Sequence, residues 1–398
     1  MSLYTNTVSS PDEDSHLAHD QTTRVSRERS NSNFLLTTIG DGIVVPSPSS
    51  TSFGFPSTIE TRRKSFKLPI TEKFFRISYS HLHKATEGFC YKNLIGSGSF
   101  GTVYRGKLEQ GGEQTFAIKV LDLLKNGASM SFHSECEVSR NIRHRNLVPI
   151  LTCCSSYDFD GNEFKALVYK FMENGNLDTW LHTHSAGRTN VLTPLQRLNI
   201  AIDVASALDY LHNDCEPPVI HRDLKLSNIF LDKDLTAHVG DFGSSMFYAP
   251  TIEDSSSTVR LNGTIGYVPP EYATSTNAST FGDIYSYEIL LLEMFSAKRL
   301  TDLFNDECSL YEYVASALPE QVMKIVDPLL LTYLERNHGW DKMLDSDGNL
   351  LKIKESEMHT FFFSIFKIGL SCASTSPLDG ILMKDVIIES ESQKELLV

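Results

Sequence analysis

Three glycines within six residues, Gly96-Ser97-Gly98-Ser99-Phe100-Gly101, run directly into Thr102-Val103-Tyr104. That junction restricts the fold more than any other stretch of the chain. A dinucleotide site with the same G-x-G-x-x-G spacing needs a helix to start at the third glycine, so that its N-terminus faces a pyrophosphate. Thr, Val and Tyr favour strands and start a helix poorly. No Gly-Lys-Ser/Thr follows, which removes a Walker-type loop. What remains is a glycine-rich hairpin, whose backbone can close over phosphates because no Cβ atom obstructs it.

Around this hairpin the chain changes character twice. Residues 1–74 are dominated by Ser, Thr, Pro and Asp, as in Ser47-Pro48-Ser49-Ser50-Thr51-Ser52. Apolar residues there follow no period, so the segment buries too little surface to offset its ordering entropy and reads as a disordered tail. The basic cluster Arg62-Arg63-Lys64 inside it reads as a solvated charge run, with contact to a membrane surface as the alternative. Residues 75–398 read as the folded part. Thr86-Glu87-Gly88 ends a short helical pattern, and Asn93-Leu94-Ile95 opens a strand. Thr102-Val103-Tyr104 and Phe116-Ala117-Ile118-Lys119-Val120 are expected strands, joined by a turn over Glu109 to Glu113. A helix is expected over Ser131 to Ile142 and a strand over Phe164 to Tyr169.

After Asn174-Gly175-Asn176 the pattern becomes helical. Leu198, Ile202, Ala205, Leu208 and Leu211 recur at helical spacing, and Phe281 to Met294 is apolar enough to be buried on most sides. The expected architecture is therefore α+β and bilobed. An antiparallel sheet with one helix would fill an N-terminal lobe over 89–172, and a mainly helical lobe would follow over 173–398.

Charge and cysteine usage exclude several classes. A basic stripe for a phosphate backbone would have to overcome the field of a net charge of -14, so nucleic acid is not an expected main partner. The 7 cysteines are dispersed and form no CxxC, which fits free thiols in a reducing compartment rather than a zinc ribbon or disulfide framework. The most apolar run, Phe361 to Leu370, is short and broken by Lys367, so no transmembrane segment is expected. The start Met-Ser-Leu offers neither a signal peptide nor a myristoylation site.

Chemistry-bearing residues follow the hairpin in order. Lys119 lies inside an apolar strand, where a cation can hold α- and β-phosphates if a carboxylate orients it. Glu135 on the next helix is the candidate, and Glu137 its rival. His221-Arg222-Asp223-Leu224-Lys225-Leu226-Ser227-Asn228 matches H-R-D-L-x-x-x-N. In that pattern Asp223 accepts the proton of an attacking hydroxyl, Lys225 lies against a γ-phosphate and Asn228 binds Mg²⁺. Asp241-Phe242-Gly243 supplies Asp241 as a second Mg²⁺ ligand, and Pro269-Pro270-Glu271 closes the segment between.

With these motifs the chain, from Phe75 to nearly its C-terminus, resembles the kinase domain of plant leucine-rich-repeat receptor-like kinases. The wording that carries the resemblance includes Leu94-Ile95-Gly96, His144-Arg145-Asn146-Leu147-Val148, Gly263-Thr264-Ile265-Gly266-Tyr267-Val268 and Phe281-Gly282-Asp283-Ile284-Tyr285-Ser286-Tyr287. The resemblance implies the bilobed protein kinase fold, ATP with Mg²⁺ (Mn²⁺ as an alternative), and transfer of the γ-phosphate to Ser/Thr hydroxyls of proteins in receptor-linked signalling. Ile95, Gly96, Ser97, Gly98, Ser99, Phe100, Gly101 and Thr102 would then face the nucleotide. Val103, Ala117 and Phe230 would sandwich adenine, with Tyr169 as gatekeeper, Phe171 and Met172 as hinge, and Asp283 holding the catalytic loop. Lys225 after Asp223-Leu224 is Ser/Thr-kinase wording. The repeats and membrane helix of such receptors are absent from the sequence. A cytoplasmic member of the group, or a piece of a longer product, is expected, located in the cytoplasm or at the inner face of the plasma membrane. Its partners would be protein substrates and membrane receptor kinases. The competing reading is a pseudokinase scaffold that binds nucleotide or partners with little turnover, against which the intact Lys119, Asp223, Asn228 and Asp241 weigh.

Three positions depart from the family pattern. Glu288 replaces a glycine of the buried helix, so it must snorkel, find a cation or destabilise the lobe. Gly380 stands where an arginine would pair with Glu271. Ser139 stands where a leucine would link His221 and Phe242 to the helix, a loss expected to favour an inactive helix position. Finally, Ser255-Ser256-Ser257-Thr258 is a candidate phosphorylation segment that Arg222 would clamp.

Overall fold

The computed structural model describes residues 77–108, 114–183, 191–248, 263–269, 272, 278–299, 302, 308–338, 343–344, 350–351, 355–372, 382–394 and 397. All of them lie in the unit running from Arg63 to Val398. The tail expected over 1–74, the turn over Glu109 to Glu113, and Ser255 to Thr258, Pro270, Glu271 and Gly380 lie outside the described residues.

The described chain opens with helix α1 (Tyr79–Ala85), capped by the Ser78 hydroxyl accepting from the His81 amide at 3.4 Å. Thr86 ends it by turning its own hydroxyl back onto the Leu82 carbonyl at 2.8 Å. Leu82 is fully buried against the sheet that follows, with Phe116, Ile118 and Phe164 in the same cluster.

Five strands make that sheet: β1 (Leu94–Gly98), β2 (Gly101–Leu108), β3 (Gln114–Leu121), β4 (Ile150–Tyr157) and β5 (Glu163–Lys170). They run antiparallel in the order β1-β2-β3-β5-β4. Alternation along β3 buries Phe116 and Ile118 on the α1 side and turns Ala117 and Lys119 to the other face. Lys119 lies opposite Val103 on one neighbour and Leu167 on the other. Helix α2 (Ala128–Asn141) packs on the sheet through Phe132 and Cys136, which join Leu121 and Leu167.

The second lobe grows from two long helices. In α4 (Pro194–Asp209, after the short α3, Leu177–His182), Thr193 and Gln196 form a capping box and Pro194 takes the first turn, where its missing N–H costs nothing. Helix α5 (Thr280–Ser296) is buried along nearly its whole length, in keeping with its mostly apolar composition. It packs against α4 and the helices Leu310–Ala317 and Glu355–Cys372. Buried Arg197 of α4 reaches Asp327 at 2.5 Å and the Met294 carbonyl at 2.6 Å, pinning the three segments together. Of the fates open to Glu288, snorkelling and a cation partner are ruled out among the described residues. It is 0% exposed and neither carboxylate oxygen has a hydrogen-bond partner there. Burial pushes its carboxyl up to about 9, so the side chain is neutral at pH 7.

Candidate active site

One cavity of about 600 Å³ opens between the sheet and the helical lobe. Its roof is the β1–β2 hairpin, in which Gly96 lies opposite Val103, and Gly98 opposite Gly101. The glycines differ in why they must be small. A Cβ on Gly101 would sit 2.1 Å from the Val120 carbonyl oxygen, so the sheet itself demands glycine there. A Cβ on Gly96 or Gly98 would meet nothing within 4 Å and would project into open space. Those two leave room for a ligand rather than for the fold.

Every nucleotide-facing residue expected from the sequence lines this cavity except Thr102. Strand alternation accounts for the exception. Gly101 and Val103 share the cavity face of β2, and the residue between them points to the opposite face. Val148 and Ser227 line the cavity as well and were not foreseen.

On the roof side, Lys119 Nζ donates to Glu135 Oε2 at 2.9 Å and to Asp241 Oδ1 at 2.6 Å. Burial works against the Lys119 charge, but the two carboxylates outweigh it and hold the ammonium above the usual lysine range. Glu135 is therefore the residue that meets Lys119, while Glu137 is exposed. A further contact was illegible beforehand: the Tyr169 hydroxyl donates to Glu135 Oε1 at 2.5 Å. The Phe242 amide donates to the same oxygen at 3.2 Å. Helix α2 is thus held in an engaged position despite Ser139, contrary to the expectation drawn from that residue.

On the floor side, Asp283 of α5 organises the loop before β7 (Ile229–Leu231), which follows the two-residue β6 (Val219–Ile220). Its carboxylate accepts from the His221 amide at 2.7 Å, the Arg222 amide at 2.8 Å and His212 Nε2 at 2.9 Å. Burial alone would raise its pKa; the His212 bond, the His221 amide and the nearby imidazoles pull it below the usual carboxylate range. Arg222 takes φ +69 in this grip. The His221 ring lies 5.1 Å from that of Phe242, edge to face.

The loop presents Asp223 to the cavity. Its Oδ2 accepts from Lys225 Nζ at 2.9 Å and its Oδ1 from the Thr264 hydroxyl at 2.8 Å. Asn228 Nδ2 donates to the Asp223 carbonyl at 2.8 Å, leaving the amide oxygen available to a cation. The Lys225 ammonium also reaches Thr264 Oγ1, at 2.8 Å. Thr264 was read only as family wording, because it stands far along the chain from Asp223.

Asp241, after β8 (Ala237–Val239), turns its carboxylate toward the cavity and is 40% exposed, whereas Glu135 is 1%. Burial tends to raise its pKa, yet the Lys119 ammonium holds it below the usual carboxylate range. A carboxylate and an amide oxygen on one cavity wall fit a hard divalent cation whose remaining ligands come from phosphates and water. No cluster of three or more side chains able to hold a metal alone occurs among the described residues.

This geometry agrees with what the chain is similar to. Residues 89–325 match the protein tyrosine and serine/threonine kinase family. The chain belongs to that protein kinase family. The chain is 46% identical over 331 residues to a probable LRR receptor-like serine/threonine-protein kinase of Arabidopsis thaliana, covering 80% of this chain and 31% of the relative. A receptor kinase-like protein of Oryza sativa subsp. japonica is 44% identical over 327 residues, with 81% and 30% covered. The LRR receptor-like serine/threonine-protein kinase EFR of Arabidopsis thaliana is 52% identical over 253 residues, with 61% and 24% covered. The chain thus spans less than a third of the length of these relatives. No helix among the described residues is long and apolar enough to cross a membrane.

Proposed function

We propose that this kinase domain transfers the γ-phosphate of ATP to Ser/Thr hydroxyls of proteins, acting beside or downstream of membrane receptor kinases at the cytoplasmic face. The observation that carries the reading is the Asp223 carboxylate. It faces the cavity, fixed between Lys225 and Thr264, across from the Lys119–Glu135 pair. A hydroxyl brought to Asp223 meets a carboxylate placed to take its proton as attack begins. Lys225 Nζ, beside that carboxylate, balances negative charge on the transferred group. Lys119, steadied by Glu135, holds the donor phosphates. Asn228 and Asp241 would hold Mg²⁺, which when bound neutralises phosphate charge and aligns the β- and γ-oxygens. Val103, Ala117 and Phe230 supply apolar surfaces for adenine. A scaffold that only held nucleotide would have no use for a carboxylate aimed at an incoming hydroxyl, so turnover is favoured.

Lys225 two residues after Asp223 is Ser/Thr-kinase wording and favours Ser/Thr over Tyr as acceptor. The test is autophosphorylation of the purified chain with Mg-ATP, with the residues modified identified by mass spectrometry. Phosphoserine and phosphothreonine are expected from the parent and none from Asp223→Asn. Equal incorporation by both would sink the assignment.

A further inference from the structure

Glu293, in the last turn of α5, is a buried carboxylate with both oxygens engaged and no part in the transfer chemistry. Its Oε2 accepts from the Tyr267 hydroxyl, and its Oε1 accepts from His182 Nε2 at 2.8 Å. The side chains of His182 and Glu293 are 4% and 5% exposed, and Tyr267 is buried. His182 is the last residue of α3, whereas Tyr267 belongs to the 263–268 segment beside Asp223. The bonding continues from there to the cavity. The Tyr267 amide donates to the Thr264 carbonyl at 3.0 Å, and the Thr264 hydroxyl donates to Asp223 Oδ1 at 2.8 Å. The Tyr267 carbonyl accepts from the Ser286 hydroxyl of α5 at 2.8 Å, so α5 holds this residue by its backbone as well as by its hydroxyl.

We propose that His182 is a positioning residue for the acceptor side of the site, acting through Glu293 and Tyr267 on Thr264 and Asp223. Its effect on rate rests on Asp223 being the proton acceptor; its effect on the 263–268 segment rests on the bonds alone. A carboxylate held at one oxygen can turn about its terminal bond. Held at both, it turns only by breaking a buried bond, which leaves an acceptor unsatisfied. His182 therefore fixes the plane of Glu293, and that plane decides where the Tyr267 hydroxyl finds its acceptor. With the imidazole N–H removed, Glu293 Oε1 loses this donor and the carboxylate gains by turning toward another, drawing away from Tyr267. The turn that carries Thr264 then loses one of its two ties to α5. The nucleotide side is held separately, by the bonds of Lys119 to Glu135 and Asp241, and should not follow.

The test compares the full chain with His182→Asn and His182→Gln. The longer Gln amide reaches the position of the imidazole Nε2, and the shorter Asn amide does not. Amide hydrogen exchange, read on proteolytic peptides by mass spectrometry, needs no turnover. In His182→Asn the 263–268 segment should exchange several-fold faster, with α2 and β3 unchanged, and His182→Gln should restore the parent rate. If His182→Asn does not fold, His182→Leu read in the same way decides. Steady-state rates with a serine peptide should show kcat/KM for the peptide several-fold lower in His182→Asn, at unchanged KM for Mg-ATP. Because His182 and Tyr267 share one carboxylate, adding His182→Asn to Tyr267→Phe should speed exchange no further. Unchanged exchange in 263–268, an increase spread equally over both lobes, failure of His182→Gln to restore the rate, or additivity with Tyr267→Phe would each overturn the proposal. Local exchange as expected in a parent chain that transfers no phosphate would uphold the positioning and remove the proposed activity.

Discussion

Asp223 draws its orientation from Lys225 close by in the chain and from Thr264 far along it, and this sets what replacing it should do. Asp223→Asn keeps the shape and loses the carboxylate proposed to accept the proton, so turnover should fall about 10²–10⁴-fold while ATP affinity stays near that of the parent. Initial rates and titration calorimetry on the same preparation separate the two; an affinity loss as large as the rate loss would reassign the residue to binding. Thr264 yields a second prediction. Its hydroxyl donates to Asp223 at 2.8 Å, a bond to a charged acceptor of the kind that contributes about 1.5–3 kcal/mol. Thr264→Val should therefore slow turnover by roughly ten- to hundredfold, and Thr264→Ser should restore most of it. Rates in Thr264→Val equal to the parent would reduce the contact to packing. Legibility in the sequence follows the same division. Gly96 to Gly101, His221 to Asn228 and Asp241 to Gly243 could be read because each group of roles is set by spacing within a few residues. The reach of Thr264 to Asp223, and of Tyr169 to Glu135, depends on how distant segments fold back, and no local spacing announces it.

Helix α5 carries a different lesson at the scale of elements. Its apolar run announced a buried helix, and Asp283 at its start was placed correctly on the catalytic loop. Glu288 one face away was flagged as costly, but whether it would find a partner depended on packing around it. The structure buries it without one among the described residues. Its folded pKa, about 9, lies above the value of an unfolded glutamate, near 4.3. The folded state therefore keeps a proton that the unfolded state releases. The stability linked to that proton is fully present below about pH 4.3 and is lost as pH rises through about 9, at roughly 1.4 kcal/mol per pH unit. Glu288→Gln cannot release a proton, so its advantage over the parent should widen from pH 5 to pH 8 in urea unfolding. A constant gap across that range would mean the carboxyl is solvated or paired. Short strands such as β6 and β8 were missed altogether, because two or three residues carry no period to read.

For the molecule as a whole, the two lobes meet through the charges of Lys119, Glu135 and Asp241, and a ligand bound there should stabilise both together. At a hundred times its dissociation constant, Mg-ATP should add about 2.7 kcal/mol to stability. In Asp241→Asn the metal-dependent part of the thermal shift should vanish, and a shift as large as the parent's would remove Asp241 from the cation site. The grip of Asp283 on the catalytic loop has a further consequence, visible over time. The amide protons of His221 and Arg222 end on a carboxylate rooted in the most buried helix of the second lobe. They can meet solvent only when that contact opens, so in deuterated water they should exchange slowly. Amides of α1, at the outer edge of the first lobe, should exchange far sooner. The loop that presents Asp223 is thereby given the lifetime of the core.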